Sequence, residues 1–195
     1  NQTLIDISNM LDIDLFNKAN EQISKLLNIN REPFIKSVND LKKIYNINYL
    51  APSTIEEIKE KGFLFDACIS STTLEHFPID SLRITFETLK KVIKKNGIIS
   101  MLIDYSDHYS HTDNKIDSLN FLQFNDYQWK KYNTPFLFQN RLRHQNFREF
   151  FLKSGYKIIE EIKGKSGSGP KIISDKFDYS NKETYLLWGH FLLKL

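Results

Sequence analysis

Short apolar runs alternate along this chain with longer stretches in which apolar residues recur every three or four positions. "TLIDIS" (3–8) is a brief apolar run ending in polar residues and predicts a strand. Phe16, Ala19, Ile23 and Leu26 then fall on one helical face, with Asp14 placed as N-cap. A second stripe, Phe34, Val38, Leu41 and Tyr45, predicts another helix with Pro33 in its first turn. "INYLAP" (47–52) predicts a second strand stopped by Pro52, and "STIEEIKEKG" (53–62) a helix opened by a Ser53–Glu56 capping box and stopped at Gly62. "FDACIS" (65–70) predicts a third strand, apolar enough for burial on both faces. Leu82, Phe86, Leu89 and Ile93 stripe the clearest helix, capped by Asp80 and terminated at Asn96-Gly97 before a fourth strand, "IISMLI" (98–103). A polar and aromatic stretch runs from 104 to about 142. "QNFREFFLKSG" (145–155) predicts a helix with Phe147, Phe150 and Phe151 inward, and "YKIIEEI" (156–162) and "TYLLWGHFLLK" (184–194) predict the last strands.

Strand and helix alternate through most of this order, which argues for an α/β class fold: a Rossmann-like, mostly parallel sheet with helices on both faces. No helix separates the last two strands, so they are expected to pair as an antiparallel hairpin. The 195 residues suffice for a single domain, 1–195, with its own core. The net charge of +3 is too small to imply nucleic acid, and the lysines of "LKKIY" and "LKKVIKKNG" alternate with apolar positions as on solvated helix faces. The single cysteine, Cys68, allows no disulfide within the chain, fits a reducing, cytoplasmic compartment, and in an apolar strand is expected to be inert. No apolar run reaches about 18 residues, so no membrane span is expected. "KGKSGSGPK" has the wrong residue order for a phosphate loop and reads as a flexible turn.

Ligands of open parallel sheets bind beyond the carboxyl ends of the strands. Asp6 ends the first strand, where a carboxylate can accept from both hydroxyls of a ribose or simply serve a loop. Ala51, Ser53 and Thr54 follow the second. Ser70 and Ser71 end the third, followed by Glu75 and His76; either of these can equally be a surface or packing residue. After the fourth come Asp104, Asp107, His108 and His111. Four ligands in one eight-residue loop rarely close a coordination sphere, and no second cluster is evident, so no metal is expected. Asn140, Arg141 and Arg143 form a polar cluster whose arginines could hold a substrate carboxylate or phosphate, or tie loops together.

"FDACISSTTLEHFP", then a helix, then "LKKVIKKNGIISMLIDYSDH" resembles the second half of a class I S-adenosylmethionine-dependent methyltransferase. The family's "LKPGG" corresponds to "IKKNG" here, with Gly97 kept and the proline absent. The resemblance implies S-adenosyl-L-methionine as cofactor and methyl transfer to a small-molecule or saccharide-type acceptor, with no nucleic-acid or membrane partner. It implies that Asp6 holds the ribose, that Ala51 and Ser53 flank the adenine, and that Ser70 and Ser71 line the methionine side. Glu75, His76, Asp104, His108 and the 136–143 segment, with Asn140, Arg141 and Arg143, would face the acceptor. His108, then His76, would be the catalytic base. The family's glycine-rich loop, "E/D-x-G-x-G-x-G", and the central strand before it are not matched in the sequence. With no initiator Met, the chain is therefore expected to be a fragment that binds the cofactor poorly. The other readings are a non-catalytic Rossmann-like binding domain and a metal-dependent hydrolase built on Asp104, Asp107, His108 and His111.

Overall fold

The computed structural model describes residues 1–30 and 33–195. The chain, expected as a single domain, divides into two compact units, Asn1–Gly62 and Phe63–Leu195.

In the first unit β1 (Gln2–Ile5) pairs in parallel with β2 (Ile47–Leu50), Gln2 opposite Ile47 and Ile5 opposite Leu50. Helices α1 (Ile13–Leu27) and α2 (Val38–Tyr45) form the crossover, and α3 (Ile55–Glu60) follows β2. Asp12, not Asp14, caps α1: its carboxylate accepts from Leu15 N at 2.8 Å. Within α1, Ser24 is buried, whereas Ile23 is exposed and Leu26 is 83% exposed. A two-stranded sheet is too narrow to cover the whole apolar stripe of the helix. Likewise α2 starts five residues after Pro33, where the Asp40 carboxylate accepts from Lys36 N and Ser37 N. Phe34 is exposed, and Ile35 fills the core, clamped by Asn17 at both its N–H and its carbonyl. The cap of α3 is Thr54, one residue later than expected, because Ser53 Oγ turns to Glu57 at 2.9 Å.

In the second unit β3 (Phe65–Ser71), α4 (Ile79–Val92) and β4 (Ile93–Asp104) form a second parallel unit. After it come α5 (Asp126–Trp129), α6 (His144–Lys153), β5 (Lys157–Lys163) and β6 (Trp188–Lys194). The sheet order is β3-β4-β6-β5, with β6 antiparallel to both its neighbours. The expected hairpin is therefore present, and its second strand lies inside. The α/β class expected from the alternation is what the two parallel crossovers build.

Local boundaries differ from the sequence pattern. Helix α4 begins after Pro78, and Asp80 lies in its first turn, paired with Arg83 at 3.0 Å. It stops at Val92 rather than at Asn96-Gly97, because Ile93 already pairs with Phe65 in the sheet. Gly97 has a different duty. A Cβ there would lie 2.6 Å from Ile93 Cγ2 and 3.0 Å from the Asp66 carbonyl, so only glycine lets the two strands cross so closely.

The core lies on one face of the sheet. Ile99, Met101 and Ile103 alternate inward along β4, and Phe86 of α4 packs against Phe150, Phe151 and Tyr156. The other face is more open, and β3 is not buried on both faces as expected: Ile69 is 80% exposed. Among the described residues β3 pairs on one side only, with β4. Cys68 is half-buried, and burial pushes its thiol up to about 11, so it stays protonated. The irregular 104–142 stretch supplies Leu119, Phe121, Leu122 and Trp129 to a second small core, which Phe177 from the later loop completes.

Arg148 of α6 bridges Glu161 of β5 and Glu183, and Lys163 reaches Glu183 at 2.7 Å. Hydrogen bonds from Arg148 lower both carboxyls, Glu183 to about 2 from an ordinary value near 4.5. A depressed carboxylate stabilises the fold above its unfolded pKa, and that contribution is lost as pH falls through the folded value. The urea midpoint should therefore fall steadily from pH 5 towards pH 2, and less steeply in Glu183→Gln. A wild-type slope equal to that of the variant would contradict this.

Candidate functional site

Because β3 and β4 run in parallel, their carboxyl ends open on the same edge of the sheet, with Ser71 opposite Leu102. Beyond Ser71 the chain turns through Thr72, whose N–H bonds to the Leu102 carbonyl at 2.9 Å. Thr72 has φ 47, a left-handed conformation that a β-branched residue adopts at a cost. A single 3₁₀ turn, Leu74–His76, follows.

Asn140 pins that turn. Its N–H donates to the Glu75 carbonyl at 2.8 Å, and its side-chain amide donates to the carbonyls of Leu74 and Phe77 at 2.8 and 2.9 Å. Glu75 is thereby held with its carboxylate inward, 3% exposed, and neither oxygen has a hydrogen-bond partner among the described residues. Burial pushes this carboxyl up to about 7. His76 is exposed at its edge, with Nδ1 2.8 Å from the Phe138 carbonyl. A carbonyl only accepts, so Nδ1 is the donor in this contact.

From the other strand, Asp104 ends β4 and a 3₁₀ turn spans His108–His111. Asp107, grouped with these residues in the sequence, does not join them. It caps the turn, accepting from Tyr109 N at 3.0 Å and from the Asn120 amide at 3.3 Å. Gln139 locks the segment, accepting from His108 N at 3.1 Å and donating to the Ser106 carbonyl at 2.9 Å. The His108 ring lies between His76 and His111, with centroids 4.8 and 4.9 Å away. Its Nε2 is buried and 3.6 Å from Asp104 Oδ2, an ionic contact beyond hydrogen-bond length. The Asp104 carboxylate raises the His108 pKa, a shift that burial opposes. For Asp104 burial works upward, but His108 and Ser106 outweigh it and hold the carboxyl below its ordinary value. His111 Nε2 hydrogen-bonds Ser106 Oγ at 2.9 Å and lies 3.9 Å from Asp104.

Two strand ends thus bring together Glu75, His76, Asp104, His108 and His111. A pocket of about 510 Å³ adjoins them, lined by Thr72, Leu102, Asp104, His111, Leu187 and Trp188 among others. Ser70 and Ser71 sit at the end of β3, and neither hydroxyl is hydrogen-bonded among the described residues. The arrangement can accept and hold a proton, hydrogen-bond a hydroxylated ligand, or surround a cation.

Arg141 and Arg143, which the sequence offered as substrate anchors, point elsewhere. Arg141 donates to the carbonyls of Phe121 and Phe124 and to Asp126, under the rings of Trp129 and Phe177. Arg143 donates to the carbonyls of Thr184, Tyr105 and Leu186. Both tie loops, the other role their sequence position allowed. Gln139 belongs to the 136–143 segment expected to face the acceptor, but its side chain is engaged with the backbone of Ser106 and His108.

In the first unit Asp6 lies just past β1 beside the end of β2. Its N–H bonds to the Leu50 carbonyl at 3.1 Å, and its carbonyl accepts from Ser53 N at 2.8 Å. Asp6 Oδ1 accepts from Ser8 N at 3.3 Å, and Oδ2 has no partner among the described residues. Ala51 precedes a cis Ala51–Pro52 bond, and the Ser53 side chain is buried against Glu57.

No protein-family model matches the chain, and no curated protein matches it either. Among solved structures it is similar to a SAM-dependent methyltransferase from Archaeoglobus fulgidus, at 14% identity and a TM-score of 0.49 over all of this chain and 86% of that one. It is similar to an S-adenosylmethionine-dependent methyltransferase from Clostridium acetobutylicum at 12% identity and a TM-score of 0.47, covering 100% and 75% of the two chains. The cyclopropane synthase MmaA2 from Mycobacterium tuberculosis gives 12% identity and a TM-score of 0.49, covering 100% and 78%. Likeness at this level carries no function to the chain, whose own residues and topology must supply it.

Proposed function

We propose that this chain serves S-adenosylmethionine-dependent methyl transfer to a small-molecule or saccharide-type acceptor in the cytoplasm. The observation that supports it best is the strand order β3-β4-β6-β5 with β6 antiparallel. It is the closing hairpin arrangement that the motifs "FDACISSTTLEHFP" and "IKKNG" imply on resemblance. The parallel β1–β2 pair with Asp6 just past its end supports the same reading.

The residues present fit one part of the cofactor. Asp6 offers an unengaged carboxylate oxygen at a strand end, the donor-accepting group that a ribose diol requires. Ala51 and Ser53 are its neighbours in that unit. The bound cofactor supplies a methyl group already activated on a sulfonium. What remains for the protein is to align an acceptor, exclude water and remove a proton. Glu75 and Asp104 are the proposed acceptor contacts. His108, with Asp104 beside it, is the proposed proton acceptor, and His76 is the second candidate. Arg141 and Arg143 drop out of this role because their donors are engaged.

Calorimetric titration with S-adenosylmethionine tests the reading. Binding should be weak, in the range of about 0.1–1 mM (roughly 4–5.5 kcal/mol), and at least tenfold weaker in Asp6→Ala. His108→Ala should leave that affinity within twofold while lowering turnover in any transfer assay at least tenfold. Equal binding by wild type and Asp6→Ala would overturn the assignment of the ribose site. Absence of any heat at millimolar cofactor would overturn the reading itself.

A further inference from the structure

The sequence offered Asp104, Asp107, His108 and His111 as ligands and lacked a second cluster to complete them. The fold supplies one. Ligand atoms of Glu75, His76 and His108 all lie within 4.8 Å of one another, and so do those of Asp104, His108 and His111. The two groups share His108, whose ring sits between the other two imidazoles. Asp107 leaves the set as a backbone cap.

We propose that Glu75, His76 and His108 form a binding site for a divalent transition-metal ion, with Asp104 and His111 supplying its further donors. The Glu75 carboxylate is buried and both its oxygens lack hydrogen-bond partners among the described residues, a costly state unless something cationic or a proton joins them. A proton answers one carboxylate only. It leaves the buried Nε2 of His108 without a hydrogen-bond partner among the described residues, and a ring nitrogen of His76 within 4.8 Å of the ligand atoms of both Glu75 and His108. The Phe138 carbonyl orients the His76 ring through Nδ1, as a ligating imidazole is commonly oriented by its other nitrogen. Two ligands, each about 2.1 Å from an ion, are at most roughly 4.2 Å apart, so small side-chain rotations close the site. Mixed imidazole and carboxylate donors select zinc and its neighbours over magnesium or calcium, which prefer oxygen alone.

The site stands on its donors and does not depend on methyl transfer. In the metal-loaded protein His76 and His108 are ligands; only in the metal-free protein is either free to take a proton. Metal content therefore decides which state an assay reads.

The test is titration of zinc chloride into the chelator-treated 195-residue chain against a competing chromogenic chelator. One equivalent should bind, with affinity at least tenfold weaker in His76→Ala and in Glu75→Gln and unchanged in Cys68→Ser. Zinc should raise the melting temperature of the wild type and not that of either site variant. Without metal, Glu75→Gln should melt at or above the wild type, because it removes a buried unpaired acid. If Glu75→Gln does not fold, exposed His76→Ala decides the matter. Equal zinc affinity in wild type and His76→Ala overturns the proposal, and so does loss of binding on Cys68→Ser.

Discussion

Arg143→Met should cost the second unit about 3–5 kcal/mol, a large share of the 5–15 kcal/mol that holds a typical domain folded. Arg143 is 2% exposed and, among the described residues, its guanidinium has no carboxylate as a hydrogen-bond partner. Nε donates to the Thr184 carbonyl at 2.9 Å, Nη1 to Tyr105 at 2.7 Å and Nη2 to Leu186 at 2.5 Å. The rings of Tyr105 and Phe121 lie 5.3 and 5.4 Å from its centre. Burial lowers its pKa to about 9, which leaves it protonated at neutral pH. Methionine fills the volume but strands three buried carbonyls, each costing about 1–3 kcal/mol before relaxation. Lysine restores the charge but not the fork that spans three acceptors, so Arg143→Lys should recover less than half of the loss. Urea midpoints followed by circular dichroism check both. A midpoint unchanged in Arg143→Met would return this residue to the list of substrate anchors.

Gly189→Ala should be nearly as damaging, at about 3 kcal/mol, through overpacking. Gly189 faces Ile103 of β4 and Lys163 of β5, so its backbone is fixed from both sides. An added Cβ would overlap the His144 ring, 2.7 Å from Cε1, and lie 2.9 Å from the Tyr105 hydroxyl. His144 has little freedom to move away. Burial holds its pKa below the ordinary value, so the ring is neutral, with Nε2–H donating to Glu161 at 2.7 Å and Nδ1 accepting from Tyr105 at 3.0 Å. Its other face stacks on Phe191 at 4.5 Å. A double-mutant cycle is the check: in a His144→Ala background the same substitution should cost less than half as much. Full additivity would show that the strain lies in the strand instead.

How much of this could be read beforehand divides along physical lines. Periodicity located every strand, because alternation and short apolar runs are local properties. Caps slipped by one or two residues, as at Asp12 for Asp14 and Thr54 for Ser53, since neighbouring oxygens compete for the same orphan N–H groups. Burial was the weaker inference. Ile69 reads as a core residue in "FDACIS", yet exposure depends on what lies across the sheet, which no local pattern records. At the site, Glu75, His76, Asp104 and His108 were legible as residues following strand ends. That Glu75 and His76 would meet His108 was not, because parallel pairing of β3 with β4 sets that distance. Arg141 and Arg143 were visible but ambiguous, since an arginine serves equally well as a ligand clamp or a loop tie until its acceptors are known.

The clamp by Asn140 bears on how the protein comes into being. Glu75 is positioned by the backbone N–H of Asn140, 65 residues further along the chain, and the side-chain amide of the same residue reaches Leu74 and Phe77 across separations of 66 and 63. Such distant partners must pay loop closure before they gain anything, so they join late in folding. During synthesis β3 and β4 can pair while the 136–141 segment is still being made, but the carboxylate has no fixed address until that segment docks. A collapsed intermediate with its sheet formed and this segment loose would look folded by its secondary structure and have no working site.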